Sequence, residues 1–193
     1  MSWPATWWEP TGTVNETLSV SCPCGHLTRV ELWPRTLPPG EEDEHVDWDT
    51  APWPRVCAGC RRAFDFTDGT PDDFSRSSSR SREYRCAATG AVARTARDLP
   101  TAALYDAHWW HDYRTGPDGR SLVCVLPNGH HWHIDSRASN CGRPDDDVHR
   151  CWVRHGEPPQ VHVDKAGNTC PAGAGSIQSG DWHGFLHHGV LHV

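Results

Sequence analysis

The chain has 193 residues, a net charge of −7 and 36% hydrophobic residues, and no apolar run approaches the ~18 residues that a membrane-spanning helix needs. Leu, Ile, Val and Phe together number only 30, but 11 Trp and nine Cys offer other sources of cohesion. The composition therefore predicts a folded protein with a thin aliphatic core, completed by tryptophan and metal sites. The acidic balance disfavours nucleic-acid binding, which usually requires a basic surface.

The nine cysteines indicate metal binding. The first residues lack the charged, apolar and small regions of an export signal, so we expect a cytoplasmic location without membrane attachment. In that reducing compartment clustered cysteines are more often metal ligands than disulfides. An odd number of cysteines also fits full pairing poorly.

The first half of the chain divides into three predicted segments. Residues 1–17, rich in Trp and Pro, are expected to form an arm packed against the body. Residues 18–67 are predicted to form a zinc-ribbon-like domain, with strands at 18–22, 27–32 and 63–66 and a Pro-rich acidic loop at 34–55. Residues 68–97, rich in Ser and Arg, are expected to be a linker or mobile loop.

Residues 98–193 are predicted to form a second domain of short strands with one helix. The helix is expected over 98–113, capped by Asp98 or Thr101, because Leu104, Ala107 and Trp110 share helical spacing. A hairpin is predicted from strands 121–126 and 130–135, with shorter strands at 151–154, 161–163 and 185–190. The fold class predicted is α+β and β-rich.

Four cysteines in the first domain form the first candidate metal site. Cys22 and Cys24 lie on one predicted turn, and Cys57 and Cys60 lie on another. Structural zinc takes four tetrahedral ligands, which two such turns can supply. Because Cys-x-Cys is a less usual ligand spacing, His26 is an alternative to Cys24. A domain with so few aliphatic residues also needs metal to fold.

A second candidate site combines thiols with imidazole. On a strand, His149 and Cys151 would point to the same face, and Cys141 and Cys170 would arrive from loops on either side. His155 is an alternative ligand. Small buried thiols without metal are the other interpretation, so one zinc is expected and a second remains open.

His131, His133 and Asp135 resemble a catalytic motif. Alternation places the three side chains on one strand face, and an HxHxD run occurs in metal-dependent hydrolases. A solvated strand face and support for the second metal site are the alternatives. The histidines at 183, 187, 188 and 192 have no regular spacing, and they predict only adventitious metal binding.

Several of these pieces resemble uncharacterised zinc-binding-like proteins of actinobacterial tailed phages and, more loosely, the DUF6527 family of unknown function. The matching pieces are Cys22-Pro-Cys24-Gly25, the hairpin Leu-Pro-Asn-Gly-His-His-Trp-His-Ile-Asp at 126–135, and Cys141 with His149-Arg-Cys-Trp-Val-Arg-His-Gly156. The resemblance covers about half the chain. It implies bound metal and a phage origin, with the host cytoplasm as the location, but no activity.

Three functional hypotheses follow from these patterns. The leading one is a non-enzymatic, zinc-stabilised binding or adaptor protein that acts through a protein partner of unknown identity. The first alternative is a metal-dependent hydrolase that uses His131, His133 and Asp135. The second is a nucleic-acid-binding zinc ribbon that uses the arginines of segment 68–97.

Overall fold

The computed structural model describes residues 1–32, 34–36, 49–66, 74–108, 114–146, 149–165, 170 and 175–193. The regular secondary structure of these residues consists of one 3₁₀ turn, at Ala96–Asp98, and β-strands. The strands are β1 Ser2–Pro4, β2 Thr6–Ser21, β3 Leu27–Glu31, β4 Arg35–Thr36, β5 Ser75–Cys86, β6 Val92–Ala93, β7 Ala103–Asp106, β8 Leu122–Val125, β9 His131–His133, β10 Val153–His155, β11 His162–Asp164, β12 Ile177–Ser179, β13 Trp182–His187 and β14 Val190–His192. The β-rich prediction is confirmed. Within the described ranges, no helix has the length and apolarity that a membrane crossing requires.

The predicted helix over 98–113 is wrong where the chain is described. Residues 103–106 form strand β7, which pairs with residues 6–8 of β2 on one side and with β8 on the other. Leu104 and Tyr105 are both buried, although they point to opposite faces of the strand. In a strand buried on both faces, apolar residues follow one another without a break. Some of them then also fall at the spacing of an apolar helix stripe, so the two structures are hard to tell apart from sequence. Residues 109–113, with Trp110 of the predicted stripe, lie outside the described residues.

Two compact units make up the chain. Unit 1 contains residues 1–9, 84–93 and 97–193, and unit 2 contains residues 10–83 and 94–96. The predicted arm is instead strand β1 and the first part of β2. Much of the predicted Ser/Arg linker is strand β5, and residues 68–73 of that linker lie outside the described residues.

The arginines of β5 explain why this low-complexity segment is ordered within unit 2. The guanidinium group of Arg76 lies 5.4 Å from the ring centre of Trp53 and 5.1 Å from that of Phe66. Arg80 donates a 3.2 Å hydrogen bond to the buried carboxylate of Glu16. Alternation exposes Ser75, Ser77 and Ser79 and turns Arg76 and Arg80 to the other face, where both are half-buried. The segment thus packs long side chains although it has few apolar residues.

Unit 2 is organised around β2. Residues 17–21 of this strand pair antiparallel with β3, and residues 13–14 pair with β4. Within the acidic loop predicted at 34–55, residues 35–36 form strand β4 and residues 37–48 lie outside the described residues. The strand predicted at 63–66 is reduced to one bridge between Val56 and Ala63. The core is small and contains two of the predicted ligands. Its buried members are Leu18, Val20, Cys22, Ala51, Trp53, Cys57 and Phe64.

Unit 1 has a larger core between several small β-layers. Strands β7, β8 and β9 follow one another in one sheet, which confirms the predicted hairpin of β8 and β9. Strands β1, β14, β13 and β12 form a second sheet in that order, and β10 pairs with β11. Cys151 and Cys170 are buried in the same core as Trp132 and Trp152, whose rings meet edge to face at 5.4 Å. The second candidate site is therefore part of the core itself.

Candidate metal centres

The first turn of the first centre follows strand β2. The Cys22 amide donates to the carbonyl of His26 at 2.9 Å, and the Gly25 amide donates back to the Cys22 carbonyl at 2.9 Å. Gly25 has a φ of +83°, a conformation that favours glycine. The tight turn brings the Cys22 and Cys24 side chains to the same side.

The second turn repeats this geometry at Cys57. The Cys57 amide donates to the Arg62 carbonyl at 2.8 Å, and the Arg61 amide donates to the Cys57 carbonyl at 3.0 Å. The Ala58 amide donates to the Thr28 hydroxyl at 3.0 Å. This last bond fastens the second turn to strand β3, next to the first turn.

The four sulfur atoms converge as a tetrahedral ion requires. They all lie within 4.8 Å of one another. The distances from Cys22 Sγ to Cys60 Sγ and from Cys24 Sγ to Cys57 Sγ are both 3.6 Å. Sulfurs about 2.3 Å from a tetrahedral zinc stand about 3.8 Å apart, whereas a disulfide needs about 2.05 Å. The structure thus brings together all four predicted ligands at ligand spacing.

Backbone amides prepare one of these sulfurs for the thiolate form. The Cys60 amide points at Cys57 Sγ from 3.5 Å. Hydrogen bonds from the amides of Cys60 and Gly59 lower the pKa of Cys57 to about 6, although burial acts in the opposite direction. A thiolate is the form that binds metal, so the turn favours the charged ligand before any ion arrives.

His26 does not replace Cys24 in this centre. The His26 side chain is exposed and lies against Gly59, where an added Cβ would come within 2.8 Å of the imidazole Cγ. The group of converging ligand atoms contains Cys24 and not His26. The close contact explains why a glycine stands between the second pair of cysteines.

The second centre joins three sulfurs and one imidazole within unit 1. The ligand atoms of Cys141, His149, Cys151 and Cys170 all lie within 4.8 Å of one another. Cys151 Sγ is 3.6 Å from His149 Nε2 and 3.9 Å from Cys170 Sγ. Tetrahedral zinc would set these two distances at about 3.6 and 3.8 Å. Cys141 is half-buried and the other three are buried.

Loop amides position the ligands of the second centre. The Ala138 amide donates to Cys151 Sγ at 3.2 Å, and the Arg143 amide donates to Cys141 Sγ at 3.4 Å. His149 and Cys151 precede β10, so the predicted strand at 151–154 begins later than expected. Burial raises the pKa of the Cys151 thiol to about 11, which means that an apolar pocket without a cation disfavours its thiolate.

His155 is not a ligand of the second centre. Its ring is half exposed, and its Nε2 lies 3.2 Å from Asp164 Oδ1 on the neighbouring strand. His149 fills the imidazole position instead.

The HxHxD residues do not form a metal site within the described residues. Strand β9 turns the half-buried side chains of His131 and His133 to one face and buries Trp132 on the other, as predicted. His131 Nδ1 is 2.8 Å from the Tyr105 hydroxyl. Asp135, which follows the strand, is buried rather than solvated. The interpretation of these side chains as a solvated polar face therefore fails at Asp135.

Asp135 belongs to a buried ion network that sequence analysis missed. Its carboxylate accepts hydrogen bonds from Arg154 Nε at 2.8 and 3.1 Å and from the Leu122 amide at 3.0 Å. Arg154 also donates to Asp118. The Arg154 hydrogen bond lowers the pKa of Asp118, whereas burial raises the pKa of Asp135. No local pattern pairs residues 19 and 36 positions apart in the chain.

Each centre supplies four protein ligands and could hold a metal ion. The first lies on two turns, with Cys24 and Cys60 exposed, and the second lies within a core. No protein-family model, curated protein or solved structure matches the chain.

Proposed function

We propose that this chain is a zinc-stabilised binding protein that acts through a protein partner and carries out no catalysis. The observation that carries the proposal is that each centre offers four protein ligands at tetrahedral spacing. Catalytic zinc sites hold three protein ligands and keep the fourth position for water or substrate. A centre closed by four protein ligands stabilises a fold and leaves no position for chemistry.

Zinc is the metal that suits these ligands best. Thiolates with or without one imidazole, in tetrahedral arrangement, select zinc over magnesium or calcium, which prefer oxygen ligands. The first centre would then be a zinc-ribbon-like element built on β2 and β3, and the second would tie loops to the thin core of unit 1. The number of zinc ions expected per chain is two.

Two exposed apolar side chains at the first centre support a partner-binding role. Leu27 follows the first cysteine turn and is 38% exposed, and Val56 precedes the second and is 43% exposed. The hydrogen bond between Ala58 and Thr28 connects the two turns that carry them. Metal at this centre would fix both side chains on a rigid surface, which lowers the entropy cost of binding a protein.

The two alternatives gain less support. A hydrolase would need Asp135 as a ligand or base, and this carboxylate is occupied by Arg154. A nucleic-acid surface on β5 would need free guanidinium groups, whereas Arg76 stacks on aromatic rings and Arg80 binds Glu16. A phage origin and a location in the host cytoplasm are also part of this proposal, and both stay predictions.

Metal analysis of single variants tests the zinc assignment. Protein purified without chelator should contain two zinc ions per chain, and Cys57→Ser and Cys151→Ser should each lose one. His26→Ala and His155→Ala are the matched controls and should keep both. Cobalt-substituted protein should show the absorption of closed tetrahedral sites, without change on adding azide. An azide-dependent spectrum, or zinc retained in both cysteine variants, would contradict the proposal.

Affinity capture tests the partner-binding part. The full chain and a Leu27→Asp/Val56→Asp variant are compared after chemical crosslinking in the cells that produce the protein. Val92→Asp, at a residue 48% exposed in unit 1, is the matched control. A partner retained by the wild type and the control, and lost by the double variant at unchanged zinc content, is the expected result. Equal capture by all three proteins would refute a role for this surface.

A further inference from the structure

A second set of metal-binding side chains lies in unit 1, outside both cysteine centres. Five imidazole rings and the carboxylate of Asp164 form this group, which we call the histidine cluster. Its rings belong to His155, His162, His187, His188 and His192. The irregular spacing of His187, His188 and His192 in sequence predicted only adventitious binding, but folding brings these rings together with those of His155 and His162.

Two hairpins build the cluster. His155 and His162 pair across β10 and β11, and His187 and His192 lie on β13 and β14, with His188 at the turn between them. The Gly189 amide donates to the Val161 carbonyl at 2.9 Å. A Cβ on Gly189 would come within 2.8 Å of the Pro159 carbonyl, and its φ is +74°, so a glycine is required where the two hairpins meet.

The ring spacings fit shared coordination. The ring centre of His162 is 4.5 Å from that of His188, 4.7 Å from that of His187 and 6.2 Å from that of His155. An imidazole nitrogen about 2.0–2.1 Å from an ion places its ring centre roughly 3.2 Å away, so two rings on one ion have centres at most about 6.4 Å apart. All three pairs satisfy this limit. The rings of His162 and His188 are stacked at 15°, so one of them must turn before both can direct an in-plane nitrogen at one ion.

The carboxylate of Asp164 faces two of the rings. One of its oxygens lies 3.2 Å from His155 Nε2, within hydrogen-bond distance, and the other lies 3.6 Å from His162 Nε2, an ionic contact longer than a hydrogen bond. Metal-binding imidazoles commonly direct their other N–H toward such a carboxylate. A proton on Nε2, the nitrogen of His162 that faces Asp164, would leave the lone pair of this ring on Nδ1. This atom is buried and has no hydrogen-bond partner among the described residues.

Imidazole ligands without thiolate suit divalent ions such as zinc, nickel and copper.

We propose that a divalent transition-metal ion binds between these hairpins through His162, His187 and His188, with Asp164 orienting the ring of His162. Within the described residues, only the two cysteine centres have ligand atoms that all lie within 4.8 Å of one another. Binding at the histidine cluster therefore requires side-chain rotation. The exposed His188 ring, at the turn, is free of core packing and can make that movement. A bound ion would join the β10–β11 hairpin to the β13–β14 hairpin.

Nickel titration of the full chain with zinc in both cysteine centres tests this site. Calorimetry at pH 7.5 should show one Ni²⁺ bound per chain, without release of zinc. Asp164→Asn should weaken this binding by about 10–100-fold, the usual cost of removing an orienting carboxylate. His162→Gln should weaken it at least as much. His183→Gln is the matched control, because the exposed His183 ring contacts Phe185 and lies outside the cluster.

Three results would overturn the site: no nickel binding beyond the zinc already held, equal affinity in wild type and His162→Gln, or equal weakening by His183→Gln. The last would mean adventitious binding by surface histidines. Should His162→Gln fail to fold, His188→Gln at the exposed turn provides the same test. Zinc content is measured on the same samples, and Cys57→Ser should lose zinc while it keeps nickel binding. A failure of the proposed nickel site can thus be distinguished from a failure of the zinc assignment at the cysteine centres.

Discussion

Replacing Arg154 by methionine should destabilise unit 1 by about 3–5 kcal/mol, since this leaves a buried charge without its partner. The side chains of Arg154 and Asp135 are 4% and 5% exposed. Without the guanidinium group, the Leu122 amide is the one remaining hydrogen-bond donor to the Asp135 carboxylate among the described residues.

Asp135→Asn should cost less, about 1.5–3 kcal/mol, the range for a hydrogen bond to a charged group. The amide keeps the shape of the side chain, and Arg154 keeps Asp118, whose side chain is 22% exposed. The double variant Arg154→Met/Asp135→Asn should lose less stability than the sum of the two single variants, because it leaves no buried charge without its partner at this ion pair. Urea denaturation of zinc-loaded protein, followed by circular dichroism, gives these free energies of unfolding.

Arg120→Met is the matched control for this experiment. Arg120 is 42% exposed, and its ion-pair partners Glu157 and Asp118 are 74% and 22% exposed, so the loss should stay below about 1 kcal/mol. Zinc content should remain at two ions in every variant. A cost below 1 kcal/mol for Arg154→Met would refute the burial reasoning. Loss of zinc from Asp135→Asn would instead restore Asp135 as a metal ligand and with it the hydrolase hypothesis.

Three further predictions follow from burial and pKa. A chelator should remove metal from the first centre faster than from the second, because two of the four sulfurs of the first centre are exposed. Cys151→Ser reports on the first centre and Cys57→Ser on the second, so equal rates of metal release from these two variants would contradict this. Burial, with the charge of His131, lowers the pKa of His133 from 6.5 to about 4. As the pH falls, the imidazole of His133 therefore takes up a proton in the unfolded chain before it does so in the folded chain. Stability from neutral His133 is complete above pH 6.5 and is lost as the pH falls toward 4. The difference in free energy of unfolding between wild type and His133→Gln should therefore shrink by about 1–3 kcal/mol across that range, and a constant difference would exclude the effect. Burial raises the pKa of Cys124 to about 12, so iodoacetamide should modify this thiol only after unfolding; labelling of native, zinc-loaded protein would show that the strand opens.

The cysteine centres were predictable because their information is local. Each turn of the first centre carries two ligands within four residues, so chain spacing alone fixes most of the geometry. His149 and Cys151 were also predictable as neighbours at a spacing of two. The choice between Cys24 and His26 was not, because the contact of His26 with Gly59 joins residues 33 positions apart.

The errors occurred where long-range pairing overrides local preference. Leu104 and Ala107 fit a helix stripe, but the chain at this point is a strand between two partners, and neither partner is visible in the local pattern. The Ser/Arg segment has the composition of a linker, yet contacts of Arg76 and Arg80 with distant side chains order it. The ion pair of Asp135 and the histidine cluster likewise depend on contacts that only the fold creates.

The pairing of β1 with β14 has a consequence for how the protein is made. Ser2 aligns with His192, so these partners leave the ribosome 190 residues apart. At about 5–20 residues per second, that interval lasts roughly 10–40 seconds. Unit 2 is complete in sequence much earlier, within the first half of the chain. Capture of metal by the first centre can thus precede closure of the sheet of unit 1, and the N-terminal strand waits for the last strand to emerge.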